Sequence, residues 1–189
     1  MLSNFLENLQ YTLFGQPKKR ETPSFLPKEI SFRTIEKRVL IEYQSANHTT
    51  KIKEVNGRLI VSGDLHRTKV KRTLNNWISK QAKTYFIPEL ERLSEWTGLE
   101  YETVRFKNTK SRWGSCSEKK TINLNIQLLF LPKHLSHQVL LHEICHLAHL
   151  NHSKDFWKLV ESFESNFKIY ERELRRDGRK YIPGWILRK

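Results

Sequence analysis

The sequence predicts an α+β fold in which a small antiparallel sheet packs on helices, and three observations carry that prediction. Residues 30–61 break into short β-rich runs with an Asn56-Gly57 turn between the last two. Residues 68–96 and 153–174 repeat apolar side chains at helical spacing. Between those stretches, His142-Glu143-Ile144-Cys145-His146 sets two imidazoles one helical turn apart around a carboxylate. A chain of 189 residues is long enough for one well-packed domain with a small appendage, and too short for two ordinary domains.

In order along the chain, residues 1–14 place Leu2, Phe5, Leu6, Leu9 and Leu13 at helical spacing, which predicts a short amphipathic helix. Its polar side carries no Lys or Arg, so docking on the domain suits it better than lying on a membrane surface. Residues 16–28 hold Pro17, Pro23 and Pro27 and the Lys18-Lys19-Arg20 triplet, and read as a linker. The division expected is therefore an appendage over 1–28 and a folded domain over 29–189.

Strands are expected at 30–32, 39–43, 51–55 and 58–61, the last two joined as a hairpin because Asn56 and Gly57 both accept positive φ. Over 68–96, Val70, Leu74, Trp77, Ile78, Tyr85, Phe86, Leu90 and Leu93 mark a helix that Pro88 should kink or divide and Gly98 should end. Residues 101–108 alternate as a strand, and 121–130 form a second one. The loop between them, Arg112-Trp113-Gly114-Ser115-Cys116-Ser117, packs a guanidinium, a large aromatic, a glycine and a thiol into six residues. This pair of strands should lay a sheet edge beside the His142–His146 helix, where a peptide can add by backbone hydrogen bonds. That helix starts after Pro132 or at Ser136 and is expected to end near Leu150-Asn151. Ser153 then caps one long final helix, whose stripe of Phe156, Val160, Phe163, Phe167, Tyr170 and Leu174 should pack behind the His142–His146 helix.

The spacing His142-x-x-x-His146 suits a tetrahedral zinc ion, because residues four apart share a helix face and imidazole nitrogens bind zinc at ~2.0–2.1 Å. Glu143 falls about 100° around the helix, where it can take a proton from water without being a ligand. Leu140, Ile144 and Leu147 occupy the opposite, apolar side. The third ligand preferred is His152, brought back by a chain turn at Asn151. His149 is the rival, although on a continued helix it would lie ~10.5 Å along the axis from His142. A carboxylate of the following helix, Glu161 or Glu164, is a further alternative. Arg112, Ser115 and His149 are candidates for contacts to substrate or transition state.

Apolar residues make up 38% and charged residues 29% of the chain, which suits a folded soluble protein and excludes a disordered one. No apolar run approaches the ~18–20 residues that cross a bilayer. Residues 1–14 contain Glu7, no positive charge and no small-residue cleavage site, so they do not read as a signal peptide and a cytoplasmic location is expected. Cys116 and Cys145 are expected to be thiols. A formal net charge of +14 attracts polyanions, so nucleic acid, an acidic protein and an anionic membrane surface are all admitted, as is a merely solubilising role. The cations gather at Arg67, Lys69, Lys71 and Arg72, and again at Arg172, Arg175, Arg176, Arg179 and Lys180, with Tyr181 and Trp185 beside the second group.

Three pieces in order give the chain a resemblance to a known family. They are Arg112-Trp113-Gly114-Ser115-Cys116-Ser117; Leu124-Asn125 with Leu128 and Pro132; and the His142–His146 motif continuing to Asn151-His152-Ser153 and Phe156-Trp157. Over residues 30–169 the chain resembles the YgjP-like metallopeptidases, relatives of the WLM and SprT-like zincins. The resemblance implies a zincin-like fold, zinc held by His142, His146 and His152, Glu143 as catalytic base and a peptide or protein substrate. The metzincins share the histidine spacing but carry a glycine where His149 stands. Two readings besides a zinc peptidase are admitted: a nucleic-acid-associated protein whose zinc is structural or which cleaves DNA-bound proteins, and a non-catalytic interaction domain. Retention of Glu143 argues against the last, since a purely structural zinc site has no use for a base.

Overall fold

Apolar content decides which strands lie inside. The computed structural model describes residues 26–187, so the helix expected at 1–14 and most of the linker at 16–28 lie outside the described residues. The first sheet comprises β1 (Glu29–Phe32), β2 (Lys37–Ser45), β3 (Lys51–Val55) and β4 (Arg58–Gly63), in the order β1-β2-β4-β3. Asn56 and Gly57 take φ of 49° and 72° and close the β3–β4 hairpin, the left-handed pair that a two-residue turn requires. Leu59 and Val61 make β4 fully buried at two positions, whereas β3 buries no residue completely. The hairpin therefore docks through β4 and leaves β3 at the edge. That choice forces β4 to run parallel to β2, so the sheet expected to be antiparallel is mixed.

A helix of 31 residues, α1 (Arg67–Thr97), covers this sheet with Val70, Leu74, Trp77, Ile78, Ala82, Phe86, Leu90 and Leu93. Pro88 does not divide it: Phe86 and Leu90, on either side, are both fully buried, and their packing holds the helix through the lost backbone bond. Gly98, at φ 71°, ends it and returns its N–H to Ser94.

The second sheet, β5 (Thr103–Lys107), β6 (Gly114–Cys116) and β7 (Thr121–Asn125), has the order β5-β7-β6, with β5 parallel and β6 antiparallel to β7. The loop expected at 112–117 thus contributes a short edge strand. The strand expected over 121–130 stops at Asn125, whose side-chain oxygen accepts the Gln127 N–H and starts a buried 3₁₀ turn over Ile126–Phe130. An Asn side chain competing with the ladder is the physical cause.

The helix α2 (Lys133–Cys145) starts at Pro132 rather than Ser136 and ends about five residues earlier than expected. After it come α3 (Lys154–Phe163) and α4 (Phe167–Asp177), then a 3₁₀ turn (Gly178–Tyr181) and α5 (Gly184–Leu187). The single final helix expected from Ser153 is broken at Glu164, which is extended at φ −141° and accepts the Asn166 N–H on Oε1. The break lets one apolar stripe serve two clusters: Phe156, Val160 and Phe167 pack with Leu141 and Cys145, while Leu174 joins the main core. Cys116 and Cys145 are free thiols. Among the described residues no helix is long and apolar enough to cross a membrane.

Candidate metal centre

The centre forms because α2 stops. Past Cys145 the chain leaves the helix in a turn, with Leu147, Ala148 and His149 donating their N–H groups to Ile144 and Cys145. The carbonyl of His149 folds back onto His146 Nδ1 at 2.9 Å. Ser153 then caps α3 by accepting the Phe156 N–H, which fixes the short segment that carries His152. His152 Nε2 and His146 Nε2 lie 3.0 and 3.1 Å from His142 Nε2. Potential ligand atoms of the three residues all fall within 4.8 Å of one another.

This donor set fits a divalent cation. Bonds of ~2.0–2.1 Å in a tetrahedron separate donor atoms by about 3.4 Å, a few tenths more than the distances from His142 Nε2 to the other two rings. Burial lowers both His146 and His152 from the ordinary histidine value, against the His149 carbonyl at His146 and with the neighbouring imidazoles adding to it, which favours the neutral form that ligation requires. Under the three rings lies Phe156, fully buried, with centroids 5.0, 4.4 and 5.0 Å from His142, His146 and His152.

Glu143 lies beside this cluster, 5% exposed, with Oε2 lacking a hydrogen-bond partner among the described residues. Burial raises its carboxyl to about 7, against the opposing pull of His142 and Arg112. The backbone of Gly114 presses on it: a Cβ there would meet Glu143 Oε1 at 2.5 Å and Cγ at 2.7 Å. Only glycine lets the edge strand β6 come this close to the carboxylate. The loop leading into β6 is held by Asn125, whose amide donates to the carbonyls of Thr109 and Arg112, and by Arg179, which stacks 4.0 Å from the Trp113 ring and donates to Gln127 Oε1.

The other candidates are placed less closely. Arg112 shares with His142 and Glu143 a cavity of about 230 Å³, walled also by Trp113, Val139 and Leu174. Ser115 faces a neighbouring cavity of about 180 Å³ and accepts the Asn123 amide. His149 contributes its carbonyl to His146. Glu161 pairs with Lys168 and Glu164 caps Asn166, and neither belongs to the histidine cluster. Glu171 and Gln138 escaped the reading of the sequence. Glu171 Oε1 lies 3.3 Å from His142 Nδ1 and accepts from Gln138 Nε2 at 3.2 Å. The available signals were that Gln138 precedes His142 by one helical turn and that Glu171 directly follows Tyr170 of the apolar stripe.

Comparison with known proteins supplies the class. Over residues 4–177 the chain matches the family model described as YgjP-like, metallopeptidase domain, and it belongs to that family. Two solved structures are similar to parts of it. The metallopeptidase zymogen of Pyrococcus abyssi abylysin is 29% identical, over 46% of this chain and 90% of that one, with a TM-score of 0.41. The metallopeptidase zymogen of Methanocaldococcus jannaschii jannalysin is 20% identical, over 47% and 91%, with a TM-score of 0.42. No curated protein matches.

Proposed function

We propose that the chain is a zinc-dependent peptidase in which His142, His146 and His152 hold the metal and Glu143 is the general base. The observation that carries this is the convergence of three imidazoles next to a buried carboxylate whose Oε2 has no hydrogen-bond partner among the described residues. Zinc held there supplies Lewis acidity, which polarises a peptide carbonyl and lowers the pKa of water from ~15.7 toward ~7. Glu143 takes the proton of the attacking water and passes it to the leaving nitrogen. Arg112, which lines the same cavity as His142 and Glu143, is the side chain best placed to meet the developing oxyanion; Ser115 faces the neighbouring cavity instead. The edge strand β6 offers unpaired backbone groups along which an extended peptide can align. Elemental analysis of wild type and His146→Ala tests the metal: stoichiometric zinc in the first and little in the second is expected, and near-zero zinc in both ends the reading.

A second reading, polyanion binding, is favoured by the surroundings of Lys71. Burial, and then the charges of Arg67 and Lys110, push its ammonium below the ordinary lysine range, so cations from the start of α1 and from the loop before β6 share one patch. Titration of single- and double-stranded DNA at two salt concentrations tests this; binding that weakens steeply with salt supports it, and absent or salt-independent binding removes it.

A further inference from the structure

We propose that Glu171 is the positioning residue for His142: its carboxylate accepts from Nδ1–H, holding the proton on that nitrogen and leaving Nε2 as the metal-facing donor. The inference rests on the three-histidine seat proposed above. His142 Nε2 faces His146 and His152 at 3.1 and 3.0 Å, so Nδ1 points to the far side of the ring. There it is buried, and the polar atom facing it is Glu171 Oε1 at 3.3 Å. The contact is an ion-pair distance rather than an aligned hydrogen bond. A small rotation about the soft terminal torsion of the carboxylate completes it.

The carboxylate is itself aimed. Gln138, fully buried on α2 one turn before His142, donates Nε2–H to the same Oε1 at 3.2 Å, while its own Oε1 has no partner among the described residues. The bond to Glu171 is thus what the buried amide supplies. The same helix that carries His142 therefore also carries the group that holds its orienting carboxylate, and α4 delivers that carboxylate across the helix interface.

The two histidines on the His142–His146 motif are oriented by different means. His146 Nδ1 meets the neutral carbonyl of His149, fixed by the turn after α2. His142 meets a carboxylate, a stronger acceptor, which raises the electron density that Nε2 offers to a cation. Without that acceptor the Nδ1 proton would sit in a buried site with no partner, and the Nε2–H form, which cannot offer Nε2 to a metal, would gain weight.

The test uses the full chain in two measurements. Long-range proton–nitrogen NMR of the metal-free protein reads the tautomer of His142, and competition with a chromophoric chelator reads zinc affinity. Wild type, Glu171→Gln, Glu171→Ala and Gln138→Leu are compared, with circular dichroism to show that each folds. Expected are an Nδ1–H tautomer in wild type, a shift toward Nε2–H in Glu171→Ala, and zinc binding weakened about ten- to a hundred-fold in that variant. Glu171→Gln and Gln138→Leu should fall between. Should Glu171→Ala not fold, the nearly isosteric Glu171→Gln decides. Unchanged tautomer and affinity in the Glu171 variants overturns the proposal. A wild type that binds no zinc removes the metal reading alone, and the tautomer still decides: Nε2–H in wild type overturns the role of Glu171.

Discussion

At Gly114 a single hydrogen atom decides whether a carboxylate keeps its place. A Cβ at this position would come within 2.5–2.8 Å of three atoms of Glu143, so Gly114→Ala must displace the side chain or the strand. Peptidase activity of Gly114→Ala should fall at least ten-fold while its zinc content stays that of wild type; an unchanged rate would show that Glu143 has room to move and no catalytic need of its position. Glu143→Gln keeps the shape and removes the base, and kcat should drop by about 10²–10⁴-fold with zinc retained. Loss of zinc with loss of activity would instead make Glu143 a structural support of the ligands. The histidine motif and its carboxylate were legible in the sequence because helical spacing alone puts them together. Glu171 was not, since its meeting with His142 depends on how α4 crosses α2, a tertiary fact with no local pattern.

At the scale of elements, the seat depends on one helix stopping and the next being underpinned. Phe156, in the first turns of α3, is fully buried and touches all three imidazole rings, with the His146 ring stacked at 23°. Phe156→Ala should destabilise the protein by about 3–5 kcal/mol and weaken zinc binding together, read by denaturant unfolding with and without metal. Full zinc affinity in a destabilised Phe156→Ala would show that the rings are positioned independently of that floor. The elements whose boundaries differ from the sequence expectation share a cause. Pro88 stays inside α1 because packing on both sides outweighs one missing bond, Asn125 ends β7 through its own side chain, and Glu164 breaks the final helix so that its apolar stripe can reach two clusters. In each case a side chain or a tertiary contact overrides the local repeat.

For the whole molecule, the α+β class followed from periodicities that survive in the fold, but strand order did not, because burial of β4 over β3 is settled only when the sheet meets α1. The same packing makes stability depend on pH. His137 is held below its ordinary value of 6.5, chiefly by burial and then by Arg92 and Lys133, with Glu89 and Glu164 opposing. Above that value both states leave it neutral; as pH falls through it the unfolded chain takes a proton that the folded one refuses, so stability declines. Glu143, raised to about 7, works the opposite way over this range, so the effect is read by difference: from about pH 7 to about pH 5.5 the urea midpoint of metal-free wild type should move downward relative to that of His137→Gln. Equal declines would place the effect in other groups. The claim beneath all of this is that three imidazoles hold one cation, and X-ray absorption at the zinc edge of the loaded protein tests it most directly. A first shell of three imidazole nitrogens and an oxygen at ~2.0–2.1 Å is the result predicted; a shell containing sulfur at ~2.3 Å, or fewer than three imidazoles, would contradict it.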